Sequence, residues 1–400
     1  MTAVENWVPG GFRPIVREGI VQEASMTPYE RTIAAIRSEP VDRPPIIGGF
    51  MTNDRFLADA SGVSLHEYWQ DPARYTLDAY RAVGTDVIVQ FVLPKRSEAS
   101  TSGADGISTN FSRSEELWRE RFPDTDSVIA HVRAHPGPGS VASQFDPDAA
   151  YNRYVSIMRD GIAKMSPMVW IPGHVCGCPP FQHGYTEFGY ENYLCAMIEA
   201  PEVFRRCFDA WGEQRQLENI EVVRATRDNN LLPLIYCGED ICYSTGPICS
   251  PELLREIYFP ALFRAFEPLV DNSFEIVWHS DGYIMPIVDD LLDTGVTGFQ
   301  GLEEDHGMSL DTLASMTDRN GRPLILWGSI SVTSSLPFGT PEDVSADVRR
   351  CAQTGQRRGA RLFLAPSSSV GPEVPVENIF AYFQAGLQLA TGNEESISNL

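Results

Sequence analysis

Three short stretches hold acids close to a histidine or a cysteine: Cys237-Gly238-Glu239-Asp240, His279-Ser280-Asp281-Gly282 and Leu302-Glu303-Glu304-Asp305-His306. Each follows an apolar run. Ionised carboxylates that share one cavity repel one another unless a cation or shared protons compensate, which is a physical reason to expect a metal. His279, Glu239 and Cys237 are ligand types that zinc accepts, and they make up the expected metal set. Asp240 or Asp281 is then placed to orient a ligand or move a proton, and Glu303 to act from the opposite wall. The competing reading is structural, since acids also cap helices and pair with arginines. A second group, His174-x-Cys176-x-Cys178 with His183, has ligand types at close spacing but lacks the C-x-x-C pairs of a structural zinc site. A turn with half-buried thiols is the plainer account of it. Tyr185, Phe181 and Tyr243 suit the wall of a pocket for a flat substrate, with His183 and Trp327 as further substrate contacts, although aromatic residues are more often core.

Such residues meet only if the chain brings several strand ends together. Eight short apolar runs suit buried parallel strands, at about 45–50, 86–92, 168–173, 232–237, 274–279, 297–301, 324–328 and 361–365. The last five are separated by stretches of helical spacing, which is the alternation of a parallel sheet closed by outer helices. The expected fold is therefore α/β, a single (β/α)8 barrel of the TIM type, whose reactive groups sit where strands end and the next loops begin. By that rule strand three runs into Gly173 to Cys178, strand seven into Trp327-Gly328-Ser329 and strand eight into Pro366-Ser367-Ser368-Ser369. Two helix starts are written plainly, Ser250-Pro251-Glu252 and Thr340-Pro341-Glu342, each with a capping hydroxyl, a first-turn proline and an acid facing the dipole. Pro260 and Pro268 should kink or interrupt the helix that begins at Ser250.

Residues 1–25 read as an irregular leader, 26–392 as the barrel with a long excursion at about 93–165, and 393–400 as a tail. With 43% apolar residues and 10% aromatics the chain can bury an ordinary core without staples. Its net charge of −23 repels phosphate backbones and anionic headgroups, so neither nucleic acid nor a membrane is expected as a partner. A small-molecule substrate remains, as does a protein of complementary surface, a second copy in a homodimer included. No signal-peptide pattern and no uninterrupted apolar stretch of membrane-spanning length occurs, and the eight cysteines are dispersed, which together imply a cytoplasmic chain of reduced thiols. No G-x-G-x-x-G or P-loop is present to support a nucleotide-binding sheet.

The order of several segments resembles the uroporphyrinogen decarboxylase superfamily over roughly residues 27–390. The early pieces are Arg31 to Arg37, Pro40-Val41-Asp42-Arg43-Pro44-Pro45 and Gly84-Thr85-Asp86. Later come Gly189-Tyr190-Glu191, Pro201-Glu202, Glu239-Asp240-Ile241, Ser250-Pro251-Glu252, Tyr258-Phe259-Pro260 and His279 to Gly282. The tail adds Leu326 to Ile330, Leu336 to Glu342 and Val374 to Asn378. The resemblance implies a barrel and one of two chemistries: cofactor-free porphyrinogen decarboxylation, or zinc-dependent methyl transfer in concert with a corrinoid protein. Decarboxylases carry an R-Q-A-G-R type segment whose arginines meet the propionates, whereas this chain reads Gly48-Gly49-Phe50-Met51-Thr52-Asn53-Asp54, so uroporphyrinogen is not the expected substrate. The methyltransferase branch places zinc on a His-x-Cys at strand five and a later cysteine near strand eight. Here His279 matches, Asp281 stands in the cysteine's place, and Ser367 to Ser369 occupy the later segment.

The chain thus looks closer to the corrinoid-linked methyltransferase-like members. The expected function is metal-assisted methyl transfer or demethylation of a small neutral or cationic substrate, with zinc as cofactor and a corrinoid on a partner protein as methyl acceptor. One alternative is a metal-free decarboxylase or lyase of a small aromatic acid, with Asp86 as the proton donor. Another is a non-catalytic binding barrel.

Overall fold

A computed structural model describes residues 25–95, 121–173 and 177–391. The expected leader, the tail and part of the excursion at 93–165 lie outside the described residues. Eight parallel strands form the centre: β1 (Ile47–Gly48), β2 (Val87–Val89), β3 (Val169–Ile171), β4 (Leu234–Gly238), β5 (Glu275–His279), β6 (Gly298–Gln300), β7 (Ile325–Trp327) and β8 (Arg361–Phe363). Every one falls within or overlaps an apolar run of the sequence. β1 to β3 pair in order, and so do β4 to β8. Two parallel bridges, Gly173 with Tyr236 and Ile46 with Leu364, join the two groups edge to edge and close the barrel.

Side chains alternate across each strand with a period of two, so one set fills the barrel and the other meets the helices. Val87, Val89, Ile171, Tyr236, Val277, Ile325, Trp327 and Phe363 form the inner cluster, all buried. Ile235, Cys237, Ile276, Trp278, Phe299 and Leu326 face outward into the larger cluster shared with the helices. Burial on both faces is why the strands read as continuous apolar runs.

The helices between strands begin where the sequence places caps. Ser250 accepts from the Leu253 amide at 3.2 Å, and Thr340 forms a reciprocal capping box with Asp343. Pro260 interrupts as expected: one helix spans Pro251–Ile257 and the next Phe259–Asp271, with Pro260 in its first turn, while Pro268 is accommodated inside it. The excursion contributes the helices Thr125–Ala134 and Pro147–Met165, the second being the crossover that returns to β3. Among the described residues no helix is long and apolar enough to cross a membrane, and no disulfide forms between the described cysteines.

At the N-terminal end of the barrel, carboxylates are matched with guanidinium groups. Arg31 and Arg43 each donate to Asp86 at 2.5 Å, the Ile46 amide adds a bond at 2.8 Å, and Arg31 also holds Asp42 at 2.6 Å. Across the same end Arg361 and Arg322 approach Glu275 at 2.9 and 2.8 Å. Asp86 was expected as the proton donor of a decarboxylase, and here the structure corrects the reading. It precedes β2, at the end of the barrel remote from the strand exits, with both oxygens engaged by buried arginines.

Candidate functional site

The strand exits surround a cavity of about 180 Å³. Phe50 and Gln90 follow β1 and β2, Tyr236 projects inward from β4, Gln300 ends β6, and Ser368 and Ser369 follow β8. Gln182 enters from the segment after β3. The remaining lining residues are Asp240, His279 and Asp281, and no lysine or arginine is among them.

These three come together tightly. One ligand atom from each lies within 4.8 Å of the others, and His279 Nε2 stands 3.5 Å from Asp240 Oδ1. The Asp281 main-chain amide donates to the same Asp240 oxygen at 3.0 Å, tying the exit of β5 to that of β4. Gly301 permits this approach: at φ +90° it has no Cβ, and an added one would lie 2.7 Å from the Ser280 carbonyl and 3.3 Å from His279 Nδ1. Burial pushes the Asp281 carboxyl above its ordinary range; the charges of Asp240 and Glu303 act in the same direction, while His279 and a hydrogen bond from Ser368 oppose them. Asp281 Oδ1 is buried with no hydrogen-bond partner among the described residues.

One wall is apolar and fixed. The Tyr236 ring stacks on Trp327 at 5.3 Å, meets Phe50 edge-on at 6.3 Å and tilts toward His279 at 6.0 Å. Its hydroxyl donates to Gln300 Oε1 at 2.9 Å, and Gln300 Nε2 donates to the Ser367 carbonyl at 3.3 Å, so the Gln300 amide has a set orientation.

Other expected site residues stand elsewhere. Cys237 belongs to the outward-facing set of β4: it is fully buried and packs toward Gly177, where an added Cβ would lie 2.7 Å from its sulfur. The strand's two-residue period that aims Tyr236 into the barrel turns Cys237 away from His279. Glu239 lies behind the cavity, accepting from the Gln182 amide at 2.6 Å with the Cys178 sulfur 3.8 Å away. Burial, reinforced by the Asp240 charge, pushes its carboxyl up to about 7. The described residues that bring possible ligand atoms together are Asp240, His279 and Asp281, whereas Cys237 and Glu239 are turned away from His279. Glu303 does not line the cavity; it accepts from the Gly282 amide at 2.9 Å and sits 3.1 Å from His306 Nδ1, bracing the loop after β5.

None of the four expected substrate contacts lines the cavity. His183 is exposed and pairs with Glu187 at 2.7 Å, and Tyr185 is buried, stacked on Tyr190 at 4.4 Å. Tyr243 is half exposed, and Trp327 lies beneath Tyr236 in the barrel core. His174 and Cys176 lie outside the described residues, so the second ligand group is represented by Cys178 and His183 alone. The residues that sequence reasoning missed are Phe50, Gln90, Gln182, Tyr236 and Gln300. Gln90 and Gln300 did carry a signal, a polar residue closing an apolar strand run.

A family model described as uroporphyrinogen decarboxylase (URO-D) matches residues 183–387. No curated protein matches significantly. Among solved structures, a methyltransferase from Methanosarcina mazei is similar in fold, with a TM-score of 0.56 at 17% identity, covering 91% of this chain and 99% of that one.

Proposed function

The chain belongs to the uroporphyrinogen decarboxylase family, and from that premise we propose that it performs metal-assisted methyl transfer or demethylation of a small substrate, with a corrinoid on a partner protein as methyl acceptor. The observation that carries this reading is the convergence of Asp240, His279 and Asp281 within 4.8 Å at the barrel mouth. The donor set fits a divalent cation: one imidazole nitrogen and two carboxylate oxygens are an acceptable zinc environment that leaves a position open. The carboxylate repulsion at this spot and the unpartnered Asp281 oxygen are relieved by such an ion. When bound, the metal would supply Lewis acidity at the substrate oxygen, nitrogen or sulfur that carries the methyl group.

The chain's own residues supply the rest. Asp240 and Asp281 balance the two charges of the ion, so the loaded site is close to neutral and selects an uncharged substrate. Gln90, Ser368 and Ser369 offer hydrogen bonds to orient it, and the faces of Phe50 and Tyr236 cover its apolar part and exclude water. Decarboxylation of a carboxylic acid is the weaker reading, because the lining offers no cation and Asp86 sits at the opposite end. The structural likeness to a methyltransferase and the sequence resemblance support the methyl-transfer branch. Elemental analysis of protein purified without added metal, before and after chelation, tests the proposal: about one zinc per chain is expected, lost in His279→Gln while the fold survives. A folded chain that retains no zinc, even after incubation with it and dialysis, would falsify the reading.

A further inference from the structure

Residues 177–182, which lead from β3 to the helix His183–Phe188, are held by an unusual number of buried polar groups. Asn219 accepts from the Gly177 amide and donates to the Gly177 carbonyl, both at 3.1 Å. The hydroxyls of Tyr258 and Tyr193 donate to the carbonyls of Pro179 at 2.9 Å and Phe181 at 3.1 Å. Glu239 takes the Gln182 amide at 2.6 Å. Asn219, Tyr258 and Tyr193 are all at most 1% exposed. Gly177, at φ +107°, lets the segment lie directly against β4, where any side chain would strike Cys237.

All this restraint ends on one side chain. Gln182 Nε2 donates to Asp240 Oδ2 at 2.7 Å, while Asp240 Oδ1 takes the Asp281 amide at 3.0 Å and faces His279. Asp240 is itself 40% exposed, so without the Gln182 amide only the Asp281 main-chain bond at Oδ1 would keep its carboxylate from turning toward solvent. We propose that Gln182 is a positioning residue: by occupying Oδ2 it makes Asp240 a one-oxygen metal ligand and holds Oδ1 toward His279 and Asp281. The inference rests on the metal reading of the site. It explains why a neutral amide stands at the edge of an acidic cluster, since an amide donor fixes a carboxylate without neutralising it.

The test uses the full chain, stripped with a chelator and titrated with Co²⁺ against a chromophoric competitor while the visible bands of the bound ion are recorded. Gln182→Ala removes the donor, and Gln182→Met removes it at nearly constant size. Both should bind Co²⁺ about 10–100-fold more weakly than wild type, with a displaced visible band and an unchanged melting temperature for the metal-free protein. Val348→Ala, a core truncation in the helix Pro341–Arg358, should lower the melting temperature and leave the cobalt affinity and spectrum alone. Wild-type uptake of Co²⁺ with the same affinity and spectrum in both Gln182 variants overturns the inference and spares the metal reading. A wild-type chain that takes up no Co²⁺ overturns both.

Discussion

The two ends of the barrel use the same acidic residues in opposite ways. At the N-terminal end Asp86 lies between Arg31 and Arg43, and Glu275 between Arg322 and Arg361. At the strand exits neither Asp240 nor Asp281 pairs with a lysine or arginine among the described residues; they face each other and His279. The first arrangement is electrically complete and serves to hold strands and the helix Pro28–Ile36 together. The second has no such counter-charge, and the proposed metal would supply it. Location in the barrel agrees, since strand exits carry chemistry and strand entries carry stability.

The sharpest way to break this contrast is at the closed end. Asp86→Asn should leave the buried Arg43 guanidinium without its counter-charge, with Arg31 keeping Asp42, and cost about 3–5 kcal/mol in urea unfolding, without altering metal uptake by the folded chain. A mild loss would mean that the N-terminal pairs are less consequential than their burial implies. At the open end the sign reverses. Asp281→Asn removes a carboxylate that repels its neighbours, so the metal-free chain should be no less stable than wild type, while zinc affinity falls by at least about 100-fold. Destabilisation of the metal-free variant would show that Asp281 is an ordinary structural acid.

Acid and base should separate the ends further. Glu239 keeps its proton in the folded chain up to about 7, against 4.5 for an ordinary glutamate. Between those values the unfolded chain has already released its proton, so the contribution of Glu239 to stability is complete below about 4.5 and declines until about 7. In chelator-treated protein this decline should amount to about 1–3 kcal/mol, and Glu239→Gln should remove it. Asp42 runs the other way: burial alone would raise its carboxyl, but the hydrogen bond and charge of Arg31 outweigh that and lower it. Its contribution is therefore complete above the ordinary aspartate value and is lost as the pH falls through the depressed one. Uroporphyrinogen should give the smallest response of all, no measurable turnover, because neither Gly48 to Asp54 nor the cavity lining supplies an arginine. Turnover like that of a genuine decarboxylase would show that propionates are held by groups outside the cavity.

The barrel was legible in the sequence because each strand is buried on two sides, which leaves an unbroken apolar run and a polar exit. Asp240, His279 and Asp281 could be gathered from those exits alone. What could not be read is the phase of each strand: Tyr236 and Cys237 are neighbours, and only the closed barrel decides which of them looks inward. Glu239 and Glu303 show a related limit. Both leave the strands where reactive groups should, yet each is turned to hold a loop amide. The glutamines were overlooked because an uncharged amide announces no chemistry by its type. Their importance comes from what they touch, as with Gln182 on Asp240.

The way the barrel closes has a mechanical consequence. β4 and β5 are laced along five residue pairs, but among the described residues one seam is the bridge of Gly173 with Tyr236 and the other the two separated bridges of Ile46 with Leu364 and Met51 with Val370. The cylinder is thus two curved panels, of three and five staves, with thin joints between them. One joint runs beside the cavity, because Tyr236 is both seam and wall. Breathing there would widen the mouth while leaving each panel intact, and in deuterated buffer the Ile47 and Leu364 amides at the far seam should exchange sooner than those in the middle of β5.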